Sequence, residues 1–158
     1  MYKIVAKEKL CPVVDLMEFE APEIAKKARA GQFAVVRVDE VGERIPLTLA
    51  DWDDKKGTVC LVAMQVGTTT HKLSCLNAGD HILDLIGPLG LPSEIENFGT
   101  VVCVGGGVGV APVYPIARAL KQAGNKVITI MGARSKDLLF WEDRLRSVSH
   151  ELIVTTDD

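Results

Sequence analysis

Four glycines within five positions, at 105, 106, 107 and 109, follow an apolar, β-branched run in the segment Val101–Pro112, which reads VVCVGGGVGVAP. The run has the length of a buried strand, and a helical pattern follows it. Glycines at such a junction let the backbone turn at positive φ and let a ligand approach the main chain closely. The following helix directs its unpaired N–H groups and the positive end of its dipole at the same point. The segment therefore predicts a strand–turn–helix that binds phosphate.

The glycine pattern is not the simple dinucleotide fingerprint G-x-G-x-x-G. Either reading of that fingerprint requires glycine at position 110 or 112, where this chain has Val110 and Pro112. The acidic residue expected about 20 positions further on is also missing, because Val127–Met131 is apolar and Gly132-Ala133-Arg134 follows it. A tight turn without a ligand is the alternative interpretation.

Composition and charge exclude several classes of function. The 158 residues are 47% apolar, which is enough for a substantial core. A net charge of −3 disfavours a nucleic-acid partner or an anionic membrane. The N-terminal residues lack the apolar core of a signal peptide and no stretch is long enough to span a membrane, so the sequence predicts a cytoplasmic chain. The four cysteines and three histidines lack ligand spacing, so no metal site is predicted.

The pattern of secondary structure changes near residue 98. Before it, six β-rich runs separated by turn signals predict a small antiparallel six-stranded β-barrel: 2–9, 13–19, 32–38, 45–49, 58–65 and 81–86. Short helices are expected at 22–28 and 68–76, and residues 86–92 read as a loop. After it, strands at 100–105, 126–131 and 151–155 alternate with helices at 111–123 and 137–147, which predicts a parallel three-stranded α/β lobe. The expected domains are 1–97 and 98–158.

Two further segments carry chemistry that suits a nucleotide. Arg44-Ile-Pro-Leu-Thr48 places an arginine and a hydroxyl on a strand just before a turn. Arginine binds phosphate through two parallel hydrogen bonds, and a threonine hydroxyl can bond a ring nitrogen. A solvated arginine on an edge strand is the simpler interpretation of these five residues alone. Gly67-Thr-Thr-Thr70 gathers hydroxyls and helix N–H groups where an anion could bind, although plain helix capping explains it equally well.

The order of these segments resembles one family throughout the chain. R-x-P-L-T, G-T-T-T-H-K-L, G-P-L-G, V-G-G-G-V-G-V-A-P and G-A-R-S-K-D follow one another as in the ferredoxin–NADP reductase-like flavoproteins. Within that superfamily the chain is most similar to the FAD- and NAD-binding subunits of anaerobic electron-transfer complexes. These include the small subunit of NADH-dependent ferredoxin:NADP oxidoreductase and the electron-transfer subunit of dihydroorotate dehydrogenase.

The resemblance implies a role for each matching residue. On the flavin strand, it places Arg44 towards the FAD phosphates and Thr48, the one candidate catalytic residue, near the isoalloxazine. The other residues implied to bind FAD are Pro46, Leu47, Val62, Gln65, Gly67, Thr69 and Thr70. Those implied to bind the nicotinamide dinucleotide are Gly105, Gly107, Gly109, Pro112, Gly132, Ala133 and Arg134. Arg134 could meet a 2′-phosphate, pair with Asp137 or face solvent, so the choice between NADH and NADPH stays open.

The implied function is an FAD-dependent NAD(P)H oxidoreductase subunit. Its flavin would take a hydride at N5 and pass electrons to an iron–sulfur or ferredoxin-type partner, including the large subunit of a complex. Orienting two rings and excluding water requires no strong acid or base, which agrees with the lack of a catalytic carboxylate pair or triad. The alternative is a non-catalytic flavin- or nucleotide-binding module that docks on or regulates a partner subunit.

The resemblance also implies a further segment after residue 158. Family members continue past the third parallel strand, complete the nucleotide lobe and then present a cysteine-rich segment for a [2Fe–2S] cluster. The sequence leads us to expect that this chain is a C-terminally truncated fragment. The [2Fe–2S] cluster is accordingly expected only in the missing segment.

Overall fold

A computed structural model describes all residues from 1 to 158, and they form two sheets. The first sheet is antiparallel and has seven strands in the order β6-β1-β2-β5-β4-β3-β7. Its strands are β1 (Tyr2–Cys11), β2 (Val14–Glu20), β3 (Phe33–Arg37), β4 (Ile45–Asp53), β5 (Thr58–Met64), β6 (His81–Ile82) and β7 (Asp84–Leu89). Helix α1 (Pro22–Ala25) follows β2, and helix α2 (Thr68–Cys75) follows β5. We call these residues, 2–89, the barrel.

The barrel has seven strands where the sequence predicts six, because the last run divides at Leu83. Its first part, β6, pairs with β1, and its second part, β7, pairs with β3 at the opposite edge of the sheet. One residue therefore joins the two edges, and the sheet curls. The predicted loop at 86–92 was also partly wrong. Strand β7 continues to Leu89, since β3 offers a partner as far as Phe33.

The second sheet is parallel, with strand order β10-β9-β8. Its strands are β8 (Thr100–Gly106), β9 (Lys126–Ala133) and β10 (Glu151–Thr156), and the connecting helices are α3 (Val110–Gln122) and α4 (Glu142–Val148). We call residues 100–156 the lobe. The predicted parallel three-stranded sheet is confirmed. One face of the sheet remains open, with Val102 57% and Val104 67% exposed.

The helix predicted at 137–147 is shorter in the structure. Residues Lys136–Leu138 form a single 3₁₀ turn, and α4 begins only at Glu142. Between them, Trp141 adopts a left-handed conformation with φ +62°, which a helix cannot accommodate. The chain turns here so that Phe140 is buried and Trp141 contacts Tyr114 edge-on.

An apolar core joins the barrel to the lobe. Leu16, Ala50 and Val62 of the barrel belong to the same buried cluster as Ala111 and Ala117 of α3. Helix α3 thus packs along β4 as well as on its own sheet. A second cluster, centred on Met17, Phe19 and Leu61, fills the barrel. None of the helices combines the length and the hydropathy that a membrane-spanning segment requires.

Candidate functional site

Two adjoining clefts open between the barrel and the lobe. The first has a volume of about 460 Å³ and the second about 360 Å³. Both are lined mainly by apolar surface, and Met64 of β5 and Val108 of the glycine-rich turn line both of them. Apolar clefts with a few polar groups at a boundary between substructures are typical of cofactor sites. The shared wall means that ligands in the two clefts would approach each other there.

The barrel side of the first cleft comes from β4 and β5. Pro46, Leu47 and Thr48 line it from β4, and Val62 lines it from β5. Strand β4 lies between β3 and β5, so hydrogen bonds on both edges hold these residues in place. The structure thus brings together four of the residues that the sequence assigns to the flavin.

The start of α2 forms the rim of the first cleft. Thr70 Oγ1 accepts hydrogen bonds from the Val66 and Gly67 N–H groups, both at 3.0 Å, and donates to the Gly67 carbonyl at 2.9 Å. Helix capping therefore occupies the Thr70 hydroxyl. Thr69 is buried and lines the cleft together with Thr68. Because the first N–H groups of a helix lack acceptors within it, the rim presents donors suited to an anion.

The lobe side of the first cleft is the turn before α3. Val108, Gly109, Ala111 and Pro112 line it. A Cβ added at Gly109 would meet no atom within 4 Å, so the missing side chain leaves open space for a ligand. At Gly107, the positive φ of 53° favours glycine, and a Cβ there would also point into open space.

Gly105 is required for a different reason. A Cβ at this position would lie 3.1 Å from Val110 Cα and 3.2 Å from the Gly109 carbonyl oxygen. These are backbone atoms of the turn and of the first residue of α3, so they cannot move aside easily. Gly105 lines neither cleft, and it lets the helix pack closely on the strand.

The second cleft lies at the carboxyl ends of the parallel strands. Gly107 lines it, as do the three residues that the sequence assigns to the dinucleotide at the end of β9, namely Gly132, Ala133 and Arg134. Ligands of open α/β sheets bind at this edge. Asp137, one possible partner of Arg134, instead accepts a 2.6 Å hydrogen bond from the Ser135 hydroxyl.

Two predicted flavin residues do not line the first cleft. Arg44 is 55% exposed in its side chain and pairs with Asp84 at 3.3 Å. Gln65 donates a 2.7 Å hydrogen bond to the buried Asp15. Gln65 is therefore held by Asp15 of β2. Arg44 lies in the loop just before β4, next to Glu43, which does line the cleft.

Sequence reasoning missed several residues that line the clefts, among them Glu43, Val108 and Asp157. Glu43 is next to Arg44, and Val108 lies between Gly107 and Gly109, so proximity to the motifs could have indicated both. Met64 lies between Val62 and Gln65, both of which the sequence assigns to the flavin. Asp157 is distant from every motif in sequence, and only the parallel register of β9 and β10 brings it near Arg134.

The loop that carries Glu43 and Arg44 is tied to α2. Lys72 Nζ lies 2.7 Å from Asp39 Oδ2, and this hydrogen bond is the main cause of a lowered pKa for the Asp39 carboxyl.

Two thiols have a raised pKa because they are buried. The pKa of Cys60 rises to about 12, and that of Cys103 lies above its usual value. No group of His, Cys, Asp and Glu residues is arranged to hold a metal ion.

Comparison with known proteins identifies relatives along the whole chain. No family model matches it. It is 52% identical over 155 residues to a dihydroorotate dehydrogenase B (NAD⁺) electron transfer subunit homologue of Thermotoga maritima, covering 98% of this chain and 55% of that protein. It is 33% identical to the corresponding electron transfer subunit of Streptococcus pneumoniae, covering 99% of this chain and 62% of that one.

A solved structure of a related protein has the same fold. The structure of an NADH-dependent reduced ferredoxin-NADP oxidoreductase superposes with a TM-score of 0.94 at 51% identity, covering 99% of this chain and 57% of that chain. The chain thus has the fold of the ferredoxin reductase-like FAD- and NAD-binding proteins. Within that class, it is a homologue of the electron-transfer subunits just described, and it spans about half of their length.

Proposed function

We propose that this chain is the flavin- and nucleotide-binding part of an electron-transfer subunit. It would pass electrons between NAD(P)H and an iron–sulfur or ferredoxin-type partner, and it would work beside a larger catalytic or iron–sulfur subunit. The observation that carries this proposal is the pair of adjoining clefts, with a barrel wall and a glycine-rich wall meeting at Met64 and Val108. The named homologues support it.

The residues of the first cleft fit FAD. Pro46, Leu47 and Val62 offer an apolar wall for a flat ring system, and the Thr48 hydroxyl beside them can bond a ring nitrogen or oxygen. The N–H groups at the start of α2 suit the pyrophosphate. Arg44 is exposed and held only by a surface ion pair with Asp84, which is weak. It is therefore free to exchange Asp84 for a phosphate.

The residues around the glycine-rich turn fit a nicotinamide dinucleotide. Open space above Gly107 and Gly109 lets a pyrophosphate approach the main chain and the start of α3. Arg134 at the end of β9 is placed for the adenosine end, and Asp157 lines the same cleft. Because a carboxylate there disfavours a 2′-phosphate, we propose NADH as the donor, in line with the names of the homologues.

The bound flavin would supply the redox chemistry, since it accepts a hydride and releases electrons singly. The residues of the chain would orient and shield the reactants. Met64 and Val108, on the shared wall, would exclude water from the place where the two ligands meet. Thr48 would hold the ring through a hydrogen bond, and no residue is required to act as a strong acid or base.

An absorption spectrum of the purified chain supplemented with FAD, followed by anaerobic addition of NADH or NADPH, tests this function. We expect a protein-bound flavin band that bleaches faster with NADH. Binding without bleaching by either nucleotide would contradict the oxidoreductase proposal and favour the non-catalytic module. If no flavin binds, the assignment of the first cleft is wrong. Preference for NADPH, lost on Arg134→Ala, would overturn the choice of donor.

A further inference from the structure

A cluster of charged and aromatic residues joins the barrel to the lobe away from both clefts. Asp51 of β4 accepts a 2.7 Å hydrogen bond from Arg118 of α3 and a 3.2 Å hydrogen bond from Arg144 of α4. The Trp52 backbone N–H donates to the same carboxylate at 2.9 Å. One carboxylate of the barrel thus holds two arginines that belong to two different helices of the lobe.

Aromatic rings enclose both arginines. The Arg118 guanidinium lies 5.2 Å from the ring centres of Trp52 and Tyr114. The Arg144 guanidinium lies 4.6 Å from the Trp141 ring and 5.7 Å from the Tyr114 ring. These distances fall within the range of cation–π attraction. The left-handed backbone of Trp141 brings its ring to this position.

The cluster is partly sheltered from solvent, and Arg144 is the most exposed of its three charged side chains. Side-chain exposure is 20% for Asp51 and 26% for Arg118. The apolar core between α3 and the barrel is stabilised by burial, which is non-directional. Stacked guanidinium groups on a shared carboxylate have fixed geometry. The cluster therefore supplies the directional part of the contact between barrel and lobe.

The same two elements carry the cluster and the walls of the first cleft. Strand β4 carries Thr48 three residues before Asp51, a separation of about 10 Å along a strand. Helix α3 carries Ala111 seven residues before Arg118, again about 10 Å along a helix. A change of angle at the cluster would consequently move the glycine-rich turn relative to the flavin strand.

We infer that Asp51, Arg118 and Arg144 form a clamp that sets the distance between the two bound rings, and that they are positioning residues for hydride transfer. This inference rests on the proposed function. Reactive geometry requires reacting atoms about 3–3.5 Å apart, and a displacement of about 1 Å costs on the order of 100-fold in rate. Without Asp51, the two neighbouring arginines repel each other, and the lobe loses its fixed angle.

Stopped-flow flavin reduction by NADH in the full chain tests the clamp. We expect Asp51→Asn to lower the limiting rate of reduction about 10–100-fold while flavin affinity changes less than about threefold. Arg144→Gln should lower the rate less, since it leaves the shorter bond of Arg118 in place. Glu142→Gln is the matched control, because it removes the same charge from a 2.8 Å pair with Arg146 that lies entirely within α4. An unchanged limiting rate in Asp51→Asn would overturn the inference.

A distance measurement tests the clamp without any cofactor. Nitroxide labels on the exposed Cys75 of the barrel and on Gln122→Cys of α3 report the barrel-to-lobe distance by pulsed electron paramagnetic resonance. We expect the distance distribution to broaden or shift in Asp51→Asn and to stay unchanged in Glu142→Gln. Identical distributions would overturn the clamp. If the wild-type flavin is not reduced by NADH, the proposed function fails, while this measurement still decides whether the clamp fixes the lobe.

Discussion

Two adjacent glycines are expected to respond to substitution in opposite ways. Gly106 has an extended backbone, with φ −116° and ψ 135°, and an added Cβ would meet no atom within 4 Å. Gly106→Val should thus leave the fold intact, and its lower unfolded-state entropy should raise stability slightly, by about 0.4–1 kcal/mol. Gly106 lines the second cleft, so the new side chain should crowd a bound dinucleotide.

The packing cost is similar in the two variants, but it weakens nucleotide binding in one and folding in the other. Overpacking costs about 1–3 kcal/mol, which converts to a nucleotide affinity roughly 5–150-fold weaker in Gly106→Val. In Gly105→Ala, the methyl group would lie 3.1 Å from Val110 Cα. A similar cost would fall on folding there and lower the melting temperature by roughly 2–12 °C. Gly107→Val is a less clean test, since φ +53° would strain the backbone as well.

Isothermal titration with NADH and a thermal melt, both performed on the two variants and the wild type, separate these effects. Flavin binding is the internal control, because Gly106 does not line the first cleft. Wild-type nucleotide affinity in Gly106→Val would refute the assignment of the turn to the dinucleotide. A wild-type melting temperature in Gly105→Ala would refute the packing argument for that glycine.

Three further predictions concern charges and thiols. Arg44→Ala should weaken FAD binding roughly 10–150-fold by removing a charge-assisted phosphate contact; fluorescence titration measures this, and unchanged affinity would show that Arg44 stays with Asp84. At pH 8 we expect Ellman's reagent to modify the exposed Cys75 quickly and Cys60 only on unfolding, because burial raises the Cys60 pKa to about 12 and keeps the thiol protonated; two fast equivalents would contradict this. Lys72→Gln should raise the pKa of Asp39 towards 3.8, as followed by carboxyl NMR. Since that pKa is lowered in the folded chain, the stability it contributes is present above pH 3.8 and is lost as the pH falls through the folded value.

The sequence predicted most elements because their signals are local. Alternating apolar residues marked the strands of the barrel, and the glycines at 105–109 marked the junction of β8 and α3. The errors fell where distant segments compete for the same residues. Leu83 divides a run because two opposite edges of one sheet need partners. Trp141 leaves the helical pattern because its ring packs against Tyr114.

In the candidate site, too, the positions set by local structure were predicted, and those set by contacts between distant segments were not. The first cleft is lined by Pro46, Leu47, Thr48 and Val62, which the family resemblance assigns to the flavin. Their strands are held in place by neighbours on both edges. The same resemblance assigns Gln65 to the flavin, but its side chain donates a hydrogen bond to Asp15, which lies 50 residues away in the sequence. Arg44 was expected at the phosphates, and its partner Asp84 is 40 residues away. Such pairings depend on register and not on local pattern.

The sequence by itself determined the two kinds of substructure, their order and the strand–turn–helix at the glycines, since these follow from periodicity and from backbone freedom within a few residues. Only the tertiary structure decided that the two clefts share Met64 and Val108. It also joined Asp51 to Arg118 and Arg144, across 67 and 93 residues of chain. Contacts at such separation form when α3 packs on the barrel, and no local preference specifies them.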